Sequence, residues 1–299
     1  MDNFKSLLRN LRDGGWSSAW GFLRAGEIHD LLRGLANEYE PHDQEIHILT
    51  GDTRLTMALW MIASWITTTQ RNWKFVIHDD GSLSQKYQKE LPDLLPGCRV
   101  IGSKEAADFI QKRLQNHPLS GECRQIHPLC RKLFDIPLMT TKQKILMIDT
   151  DILFFRHPDQ ILNWLCEPSQ HTLFMEDIQD ATVNPAFDFA RQKGFTMIPK
   201  VNTGIVGMNR EIYDLDFFEE CLAQTDMIKS DRWFIEQSLF ALLSSIKGDV
   251  EFLDSSYHME LTPACPPDSV ARHYMGKVRH LFYSEGIPIV KEMIQRERS

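Results

Sequence analysis

A run of four apolar residues, Ile145 to Ile148, leads directly into the segment Asp149-Thr-Asp151. A run without a polar face is typical of a strand that is buried on both sides, as in a parallel sheet. The two aspartates fall where this strand should end, and alternation along an extended chain points residues 149 and 151 the same way. Two carboxylates at the carboxyl edge of a sheet predict a divalent-cation site that can hold a diphosphate.

A second Asp-x-Asp pair, Asp214-Leu-Asp216, provides a comparison within the same chain. Such pairs also arise by chance in a chain with 41 acidic residues. This second pair follows a polar, turn-like stretch and precedes Phe217, which indicates the acidic start of a helix. Because only Asp149 and Asp151 follow a buried strand, a metal or phosphate role is predicted for them, with chance occurrence as the alternative.

The composition excludes several classes of protein. With 42% hydrophobic and 25% charged residues, the 299-residue chain can bury a sizeable core. Its net charge of -8 argues against a nucleic-acid partner. No apolar run approaches the roughly 20 residues of a membrane span, and the N-terminus lacks the apolar core of a secretory signal. Six cysteines without a Cys-x-x-Cys pair predict reduced thiols in a cytoplasmic protein.

Residues 1–42 differ in pattern from the rest and predict an N-terminal helical extension. Apolar residues recur there at helical spacing with basic residues between them, until Asp13-Gly-Gly15 interrupts the pattern. The residues concerned are Phe4, Leu7, Leu8 and Leu11, with Lys5, Arg9 and Arg12. Such a helix either packs on its own domain, here residues 43–299, or lies on a membrane surface, here the inner face of the membrane.

From residue 45 onward, short apolar segments alternate with segments of helical length and composition. Strands are predicted at 46–49, 73–77, 99–101, 145–148, 171–175 and 250–253, and helices at 54–68, 84–94 and 232–244. The segment 200–209 joins short apolar pieces with glycines. The alternation predicts an α/β fold with a doubly wound, mostly parallel sheet. The turns 50–52, 78–81 and 149–151 would then lie along its ligand-binding edge.

The motifs of residues 45–285 resemble, in order and spacing, those of nucleotide-sugar glycosyltransferases of the GT-A fold. The resemblance is greatest to family 8, which includes the lipopolysaccharide galactosyltransferases and the glycogenins. Asp149-Thr-Asp151 is similar to the family's metal-binding DxD motif. The other matching segments are Thr50-Gly51-Asp52, Asn202-Thr-Gly-Ile-Val-Gly-Met-Asn209, Glu236-Gln237 and His273-x-x-Gly276-x-x-Arg279. The resemblance implies a GT-A-type sheet flanked by helices.

The resemblance also assigns roles to individual residues. It implies a Mn²⁺ or Mg²⁺ site with Asp149, Asp151 and His273 as ligands. It places at the reacting centre Gln237, Glu236 and Asn202. It implies contacts with the nucleotide-sugar donor for Thr50, Gly51, Asp52, Arg131, Asp149, Thr150, Gly204, Gly276, Lys277 and Arg279. Plainer alternatives are a hydrogen-bonded His273, a turn at Asn202 and Gly204, solvated helix positions at Glu236 and Gln237, and a chance match at Arg131.

Three departures from the family pattern leave the donor sugar open. Glu236 stands where the family has Asp, which lengthens the carboxylate by one carbon. Arg279 stands where the family has Lys, so a point charge becomes a planar fork. His280-Leu281 replaces the Pro-Trp pair that, in the family, often follows the motif matched here by His273-x-x-Gly276-x-x-Arg279.

The activity implied is metal-dependent transfer of a hexose from a nucleotide-diphosphate sugar, by family default a UDP-sugar, to a saccharide or glycoconjugate acceptor. The family retains the anomeric configuration, and Gln237 would stabilise the reacting centre. An inverting enzyme would need a carboxylate base, for which Glu236 or Asp231 could serve. The alternatives are a haloacid-dehalogenase-type phosphohydrolase and a non-catalytic sugar-nucleotide-binding subunit.

Overall fold

The computed structural model describes residues 2–168 and 171–298. Its helices are α1 (Asp2–Arg24), α2 (Ile28–Leu35), α3 (Leu55–Thr69), α4 (Gln85–Leu94), α5 (Ser103–Arg113), α6 (Pro118–Ile126), α7 (Pro128–Met139), α8 (Asp159–Cys166), α9 (Asn184–Lys193), α10 (Leu215–Gln224), α11 (Ile235–Lys247), α12 (Arg279–Leu281) and α13 (Ile287–Glu297). Its strands are β1 (Pro41–Thr50), β2 (Asn72–Asp79), β3 (Arg99–Ile101), β4 (Lys144–Ile148), β5 (Ile152–Phe154), β6 (Thr172–Glu176), β7 (Val201–Asn209), β8 (Val250–Phe252), β9 (Tyr257–His258) and β10 (Ala271–His273).

A seven-stranded sheet in the order β3-β2-β1-β4-β7-β6-β8 forms the centre of the protein. Strands β1, β2, β3 and β4 pair in parallel, as do β6 and β8. Strand β7 runs antiparallel to both β4 and β6. The prediction of a mostly parallel, doubly wound sheet is confirmed. Within the segment 200–209, Val201–Asn209 form one continuous buried strand rather than several short pieces.

Apolar helices cover both faces of this sheet, as a sheet without a polar face requires. On one face lies α3, in which 13 of the 15 residues are buried, including Trp60 and Trp65. On the other face lie α7 and α11, whose apolar residues share a core with β7 and with Ile145 and Met147 of β4. The second Asp-x-Asp pair behaves as predicted, because the Asp214 carboxylate accepts from Phe217 N (3.0 Å) at the start of α10.

The N-terminal extension is helical, and its second helix belongs to the main core. Ile28, Leu32 and Leu35 of α2 are fully buried in the same cluster as α3. The Trp60 indole donates to the Ala25 carbonyl at 2.9 Å, which ties the extension to α3. Helix α1 is interrupted at Gly15, whose φ of 65° is one that glycine adopts readily. The boundary at residue 42 stays a prediction.

A second, three-stranded sheet in the order β5-β10-β9 was not predicted from the sequence. Strand β10 runs antiparallel to β5, with His273 opposite Ile152. Because β5 begins directly after Asp151, this pairing carries the C-terminal segment to the end of β4. The fold thus brings His273 to the edge of the sheet where the two aspartates lie.

Candidate metal and donor site

Asp149 and Asp151 lie in the three-residue link between β4 and β5, at the carboxyl end of β4. The link is a turn rather than an extended continuation of the strand. Two backbone hydrogen bonds fix it: Asp149 N donates to Gly204 O, and Tyr274 N donates to Asp151 O, both at 2.8 Å. The two carboxylates therefore converge, as predicted, through a turn that hydrogen bonds to Gly204 and Tyr274 hold in place.

His273 completes a cluster of three potential metal ligands with Asp149 and Asp151. One ligand atom from each residue lies within 4.8 Å of the other two. The imidazole Nε2 is 3.2 Å from Asp151 Oδ1, across 122 positions of sequence. Its Nδ1 lies 3.1 Å from the sulfur of Met259. No other group of three such ligands occurs in residues 2–168 and 171–298.

Gly204 allows the imidazole to approach β7 this closely. A Cβ at this position would lie 2.6 Å from His273 Nδ1 and 2.9 Å from Asn202 Oδ1. Real Cβ atoms essentially never make contacts that short, so a side chain here would displace the imidazole. Gly204 was predicted to contact the donor; the contact that the structure gives it is with the candidate metal ligand.

Two arginines hold the second carboxylate oxygen of Asp151. Arg279 Nη2 donates to Asp151 Oδ2 at 2.9 Å, and Arg54 Nη1 lies 3.5 Å from the same oxygen. Burial alone would raise the pKa of Asp151, but His273, Arg279 and Arg54 outweigh it and keep that pKa far below its usual range. Arg54 was not predicted as a site residue, because the sequence pattern indicates only that a helix begins there.

A buried lysine holds Asp149. Lys132 Nζ donates to Asp149 Oδ1 at 2.8 Å and to Thr203 O at 2.5 Å, and it lies 3.4 Å from Glu236 Oε1. Burial would lower the pKa of Lys132, but Asp149 and Glu236 more than compensate and raise it. The preceding Arg131 donates to Asp79 O at 3.2 Å, and its predicted contact with the donor stays a prediction. Sequence reasoning missed Lys132.

Glu236 is buried at the first turn of α11, where it faces Lys132. Its Oε2 accepts from the Thr203 hydroxyl at 2.9 Å. Burial raises the pKa of Glu236 to about 7, although Lys132 acts in the opposite direction. The next residue, Gln237, is also buried, and its Nε2 has no hydrogen-bond partner among the described residues. An amide donor without a partner is costly in a protein interior, so a polar ligand group would stabilise it.

Asn202 is held in place by its neighbours on β7 and after β6. Its Nδ2 donates to Asp177 Oδ2 at 3.0 Å, and its Oδ1 accepts from Gly204 N at 2.9 Å. All four groups are buried at the same sheet edge as Asp149. Asp177, at the end of β6, was not predicted as part of the site.

The segment Thr50-Gly51-Asp52 supports the loop that follows β2. Asp52 Oδ1 accepts from Ser84 N at 2.7 Å, and a Cβ at Gly51 would lie only 2.1 Å from Asp80 Oδ1. Thr50 and Gly51 are buried under this loop, whereas Asp52 is exposed. The predicted nucleoside contact of this segment stays a prediction.

The remaining predicted residues lie around the same edge. Thr150 is buried between the two aspartates. Gly276 has a φ of 45° and open space around the position of a Cβ, and Lys277 beside it is exposed. This backbone conformation favours glycine.

A scan against protein-family models and a search of curated protein sequences both give no match. The fold, in contrast, matches solved glycosyltransferases. An active-site mutant of LgtC matches with a TM-score of 0.54 at 15% identity, over 85% of this chain and 96% of LgtC. GlyE of Streptococcus pneumoniae TIGR4 matches with a TM-score of 0.53 at 11% identity, over 85% of this chain and 64% of GlyE.

The Aspergillus fumigatus core-mannan synthase CmsA/Ktr4, solved in its Mn/GDP form, matches with a TM-score of 0.51 at 11% identity. The match covers 80% of this chain and 84% of the synthase. These structural neighbours are GT-A glycosyltransferases. At such identities the similarity shows the fold alone, so this chain has the GT-A fold, as the sequence predicted.

Proposed function

We propose that this chain is a metal-dependent glycosyltransferase that transfers a hexose from a nucleotide-diphosphate sugar to a saccharide or glycoconjugate acceptor. The observation that carries the proposal is the convergence of Asp149, Asp151 and His273 at the carboxyl edge of the sheet. Ligands of α/β sheets bind at this edge. Three ligands from two distant parts of the chain meet there on a GT-A scaffold.

The three side chains suit a divalent cation. Two carboxylates and one imidazole are a donor set for Mn²⁺, with Mg²⁺ as the alternative. Their ligand atoms are within 4.8 Å of one another, close to the separation of opposite ligands on one ion, which is about 4.2 Å for bonds of about 2.1 Å. A bound cation would act as a Lewis acid on the departing diphosphate.

The charges around the cluster favour a diphosphate ligand. Lys132 contacts Asp149, and Arg54 and Arg279 contact Asp151, so both carboxylates are already neutralised. A cation added here leaves a surplus of positive charge, which a nucleoside diphosphate would balance. For the base we propose uracil. CmsA/Ktr4 is a structural neighbour solved with GDP, so guanine has to be tested beside it.

For the chemical step we propose retention of configuration, with Gln237 stabilising the reacting carbon and Asn202 lining the donor sugar. The Gln237 amide, which has no hydrogen-bond partner in residues 2–168 and 171–298, supports this assignment. Glu236 already binds Thr203 and Lys132, which favours a positioning role over that of a base. Asp231, the other candidate base, is exposed and accepts from Trp233 N at 3.1 Å. NMR analysis of the product will decide, since a β-linked product from an α-linked donor contradicts retention.

We further propose that the protein contacts a membrane surface through α1. The face of α1 that packs on the protein is small and polar, with Asn10, Ser18 and Ala19 buried. Its large apolar side chains point into solvent instead: Phe4, Leu8, Trp16, Trp20 and Leu23 are exposed. Arg12 and Arg24 lie among them, and such basic residues beside exposed apolar ones are typical of a helix that lies in an anionic membrane surface.

Turnover tests the proposed activity. Purified protein with Mn²⁺ should release nucleoside diphosphate from one member of a panel of UDP- and GDP-hexoses. Asp151→Asn should abolish release, whereas Asp216→Asn, at the exposed member of the second Asp-x-Asp pair, should leave it unchanged. Metal-dependent binding without release would favour the non-catalytic subunit. Release of inorganic phosphate from phosphate monoesters would favour a phosphohydrolase, although the GT-A fold argues against that activity.

A further inference from the structure

A cavity of about 330 Å³ lies beside the candidate metal site, on the side of Asp151. Helix α1 forms one wall, the start of α3 the second, and the segment 276–283 the third. Arg54 and Arg279 line the cavity and also contact Asp151. The cavity and the metal site therefore share two side chains and are adjacent.

Cationic side chains dominate this cavity. Lys5 and Arg9 of α1 line it together with Arg54 and Arg279, against the single carboxylate of Asp13. That carboxylate is already bound by Arg12, which lies 2.6 Å from it. Neither Lys5 nor Arg9 forms an ion pair or side-chain hydrogen bond with another described residue. Arg54 and Arg279 contact Asp151, and Arg9 interacts electrostatically with Asp13, so the four cations face two carboxylates. The remaining positive charge favours an anionic ligand.

The packing of α1 fixes where these two side chains lie. Lys5 and Arg9 are four residues apart, so they share one face of the helix. A Cβ at Gly14 would lie 2.6 Å from His280 Cδ2, and one at Gly21 would lie 2.3 Å from Tyr283 O. Both glycines thus let α1 lie directly against the segment that carries Arg279. The cationic face of α1 is held over the cavity by this contact.

We propose that Lys5 and Arg9 complete, with Arg54 and Arg279, a phosphate-binding site on the Asp151 side of the metal site. The N-terminal extension would then supply part of the site, rather than being only an attachment to the GT-A domain. Where the phosphate is that of the donor diphosphate, the inference rests on the proposed function. A phosphate group on the acceptor is the other possible ligand, since the same four cationic side chains would bind it.

Calorimetric titration of the full-length protein tests the site. Wild type is compared with the double variant Lys5→Gln/Arg9→Gln. The control, Lys112→Gln/Arg113→Gln, removes two exposed cations at the end of α5 and changes the net charge equally. The probes are UDP, GDP and inorganic pyrophosphate, each with Mn²⁺, and inorganic phosphate titrated into protein already saturated with nucleotide and Mn²⁺. Thermal unfolding verifies that each variant is folded.

We expect the Lys5/Arg9 variant to bind pyrophosphate and the preferred nucleotide about tenfold or more weakly than the control does. If nucleotide binding is unchanged but the wild type binds inorganic phosphate beside the nucleotide, and the variant does not, the site holds an acceptor phosphate. Equal affinities of variant and control for every probe overturn the inference. Nucleotide binding by the wild type in that case leaves the proposed function intact. A wild type that binds pyrophosphate but no nucleotide contradicts the proposed function alone, and one that binds no probe contradicts both.

Discussion

The buried contact between Lys132 and Glu236 fixes the position of the Asp149 carboxylate. Lys132 lies between the two carboxylates, and the Thr203 hydroxyl binds the second one. A buried lysine with acidic partners stays charged and fixes their positions, whereas removal of one partner leaves an unpaired charge that costs about 3–5 kcal/mol. Lys132 is thus a positioning residue for the candidate metal ligand.

The raised pKa of Glu236 makes a prediction about stability and pH. The folded protein holds the Glu236 proton more tightly than the unfolded chain does, since the pKa rises from 4.5 to about 7. The free energy of unfolding should therefore fall as pH rises from about 4.5 to 7, by about 3 kcal/mol from this group. Glu236→Gln should remove this contribution, as urea unfolding between pH 4.5 and 8 will measure.

The comparison with Glu236→Gln is needed because two buried histidines act in the opposite direction. Burial lowers the pKa of His47 to about 3 and that of His78 well below its ordinary value. Their contribution to stability rises with pH until the unfolded chain loses its histidine protons near pH 6.5. Only the difference between wild type and variant isolates Glu236. A difference that does not change with pH contradicts the assignment.

Gly204 yields a prediction about metal affinity. Gly204→Ala should displace the His273 imidazole, because the new Cβ would lie 2.6 Å from its Nδ1. Loss of one well-placed ligand should weaken Mn²⁺ binding about 10- to 100-fold, as for other changes around metal ligands. Mn²⁺ titration followed by electron paramagnetic resonance measures this directly.

Gly207→Ala is the matched control on the same strand. Its Cβ would lie 3.0 Å from Trp164 and from Leu173, so it strains β7 without contacting His273. The control should lower the melting temperature and leave Mn²⁺ affinity unchanged. If both variants lose Mn²⁺ affinity equally, the effect comes from distortion of the strand rather than from His273.

Among the individual site residues, the sequence predicted the two aspartates but not Lys132. The apolar run before Asp149 indicates the end of a strand, and strand ends have a defined place in an α/β sheet. Successive helix residues point about 100° apart, so the sequence does not tell which of the neighbours Arg131 and Lys132 faces the site. Arg54 and Asp177 were missed for a similar reason. Arg54 directly precedes α3 and Asp177 directly follows β6, and only the packing of these elements determines which way the two side chains point.

Among the elements, most strands of the seven-stranded sheet were predicted, including the three-residue strands β3 and β8, whereas the second sheet was not. Strands β5 and β10 have three residues each, which is too few to show which strand they pair with. Their pairing joins parts of the chain more than a hundred residues apart, and no local pattern encodes such a contact. The direction of β7 was also open, because a strand that is buried along its whole length has no alternation.

Helix α1 allows a direct test of membrane contact. The double variant Trp16→Ser/Trp20→Ser should bind anionic vesicles less well than the wild type, because the two exposed indoles would lie at the level of the lipid headgroups. Co-sedimentation with vesicles containing phosphatidylserine measures the effect, and vesicles of phosphatidylcholine alone should bind weakly. No helix in the described part of the chain has the length and apolarity to cross a bilayer.

Trp233→Ser is the control, because Trp233 is also exposed, at 54%, but precedes α11. It should leave vesicle binding unchanged. If wild type and the α1 variant co-sediment equally, α1 does not dock on lipid. A concentration-dependent dimer that the α1 variant loses would instead assign the apolar face to a second copy of the chain.

For the whole molecule, helix α1 and the segment 273–283 come together at one edge of the sheet. The N-terminal helix, the turn after β4 and the C-terminal segment all border the candidate site. Lys132, Arg54 and Arg279 compete with a cation for the two aspartates. Metal alone should therefore bind weakly, and metal and nucleoside diphosphate should each strengthen binding of the other.

Thermal unfolding with UDP, GDP or ADP, each with and without Mn²⁺, tests the central claim most directly. We expect one nucleotide to stabilise the wild type only when Mn²⁺ is present, by about 2.7 kcal/mol at a hundredfold excess over the dissociation constant. Asp151→Asn should lose this stabilisation, and Asp216→Asn should keep it. A wild type that no nucleotide stabilises, or an Asp151→Asn variant stabilised as strongly as the wild type, contradicts a metal–diphosphate site at Asp149, Asp151 and His273.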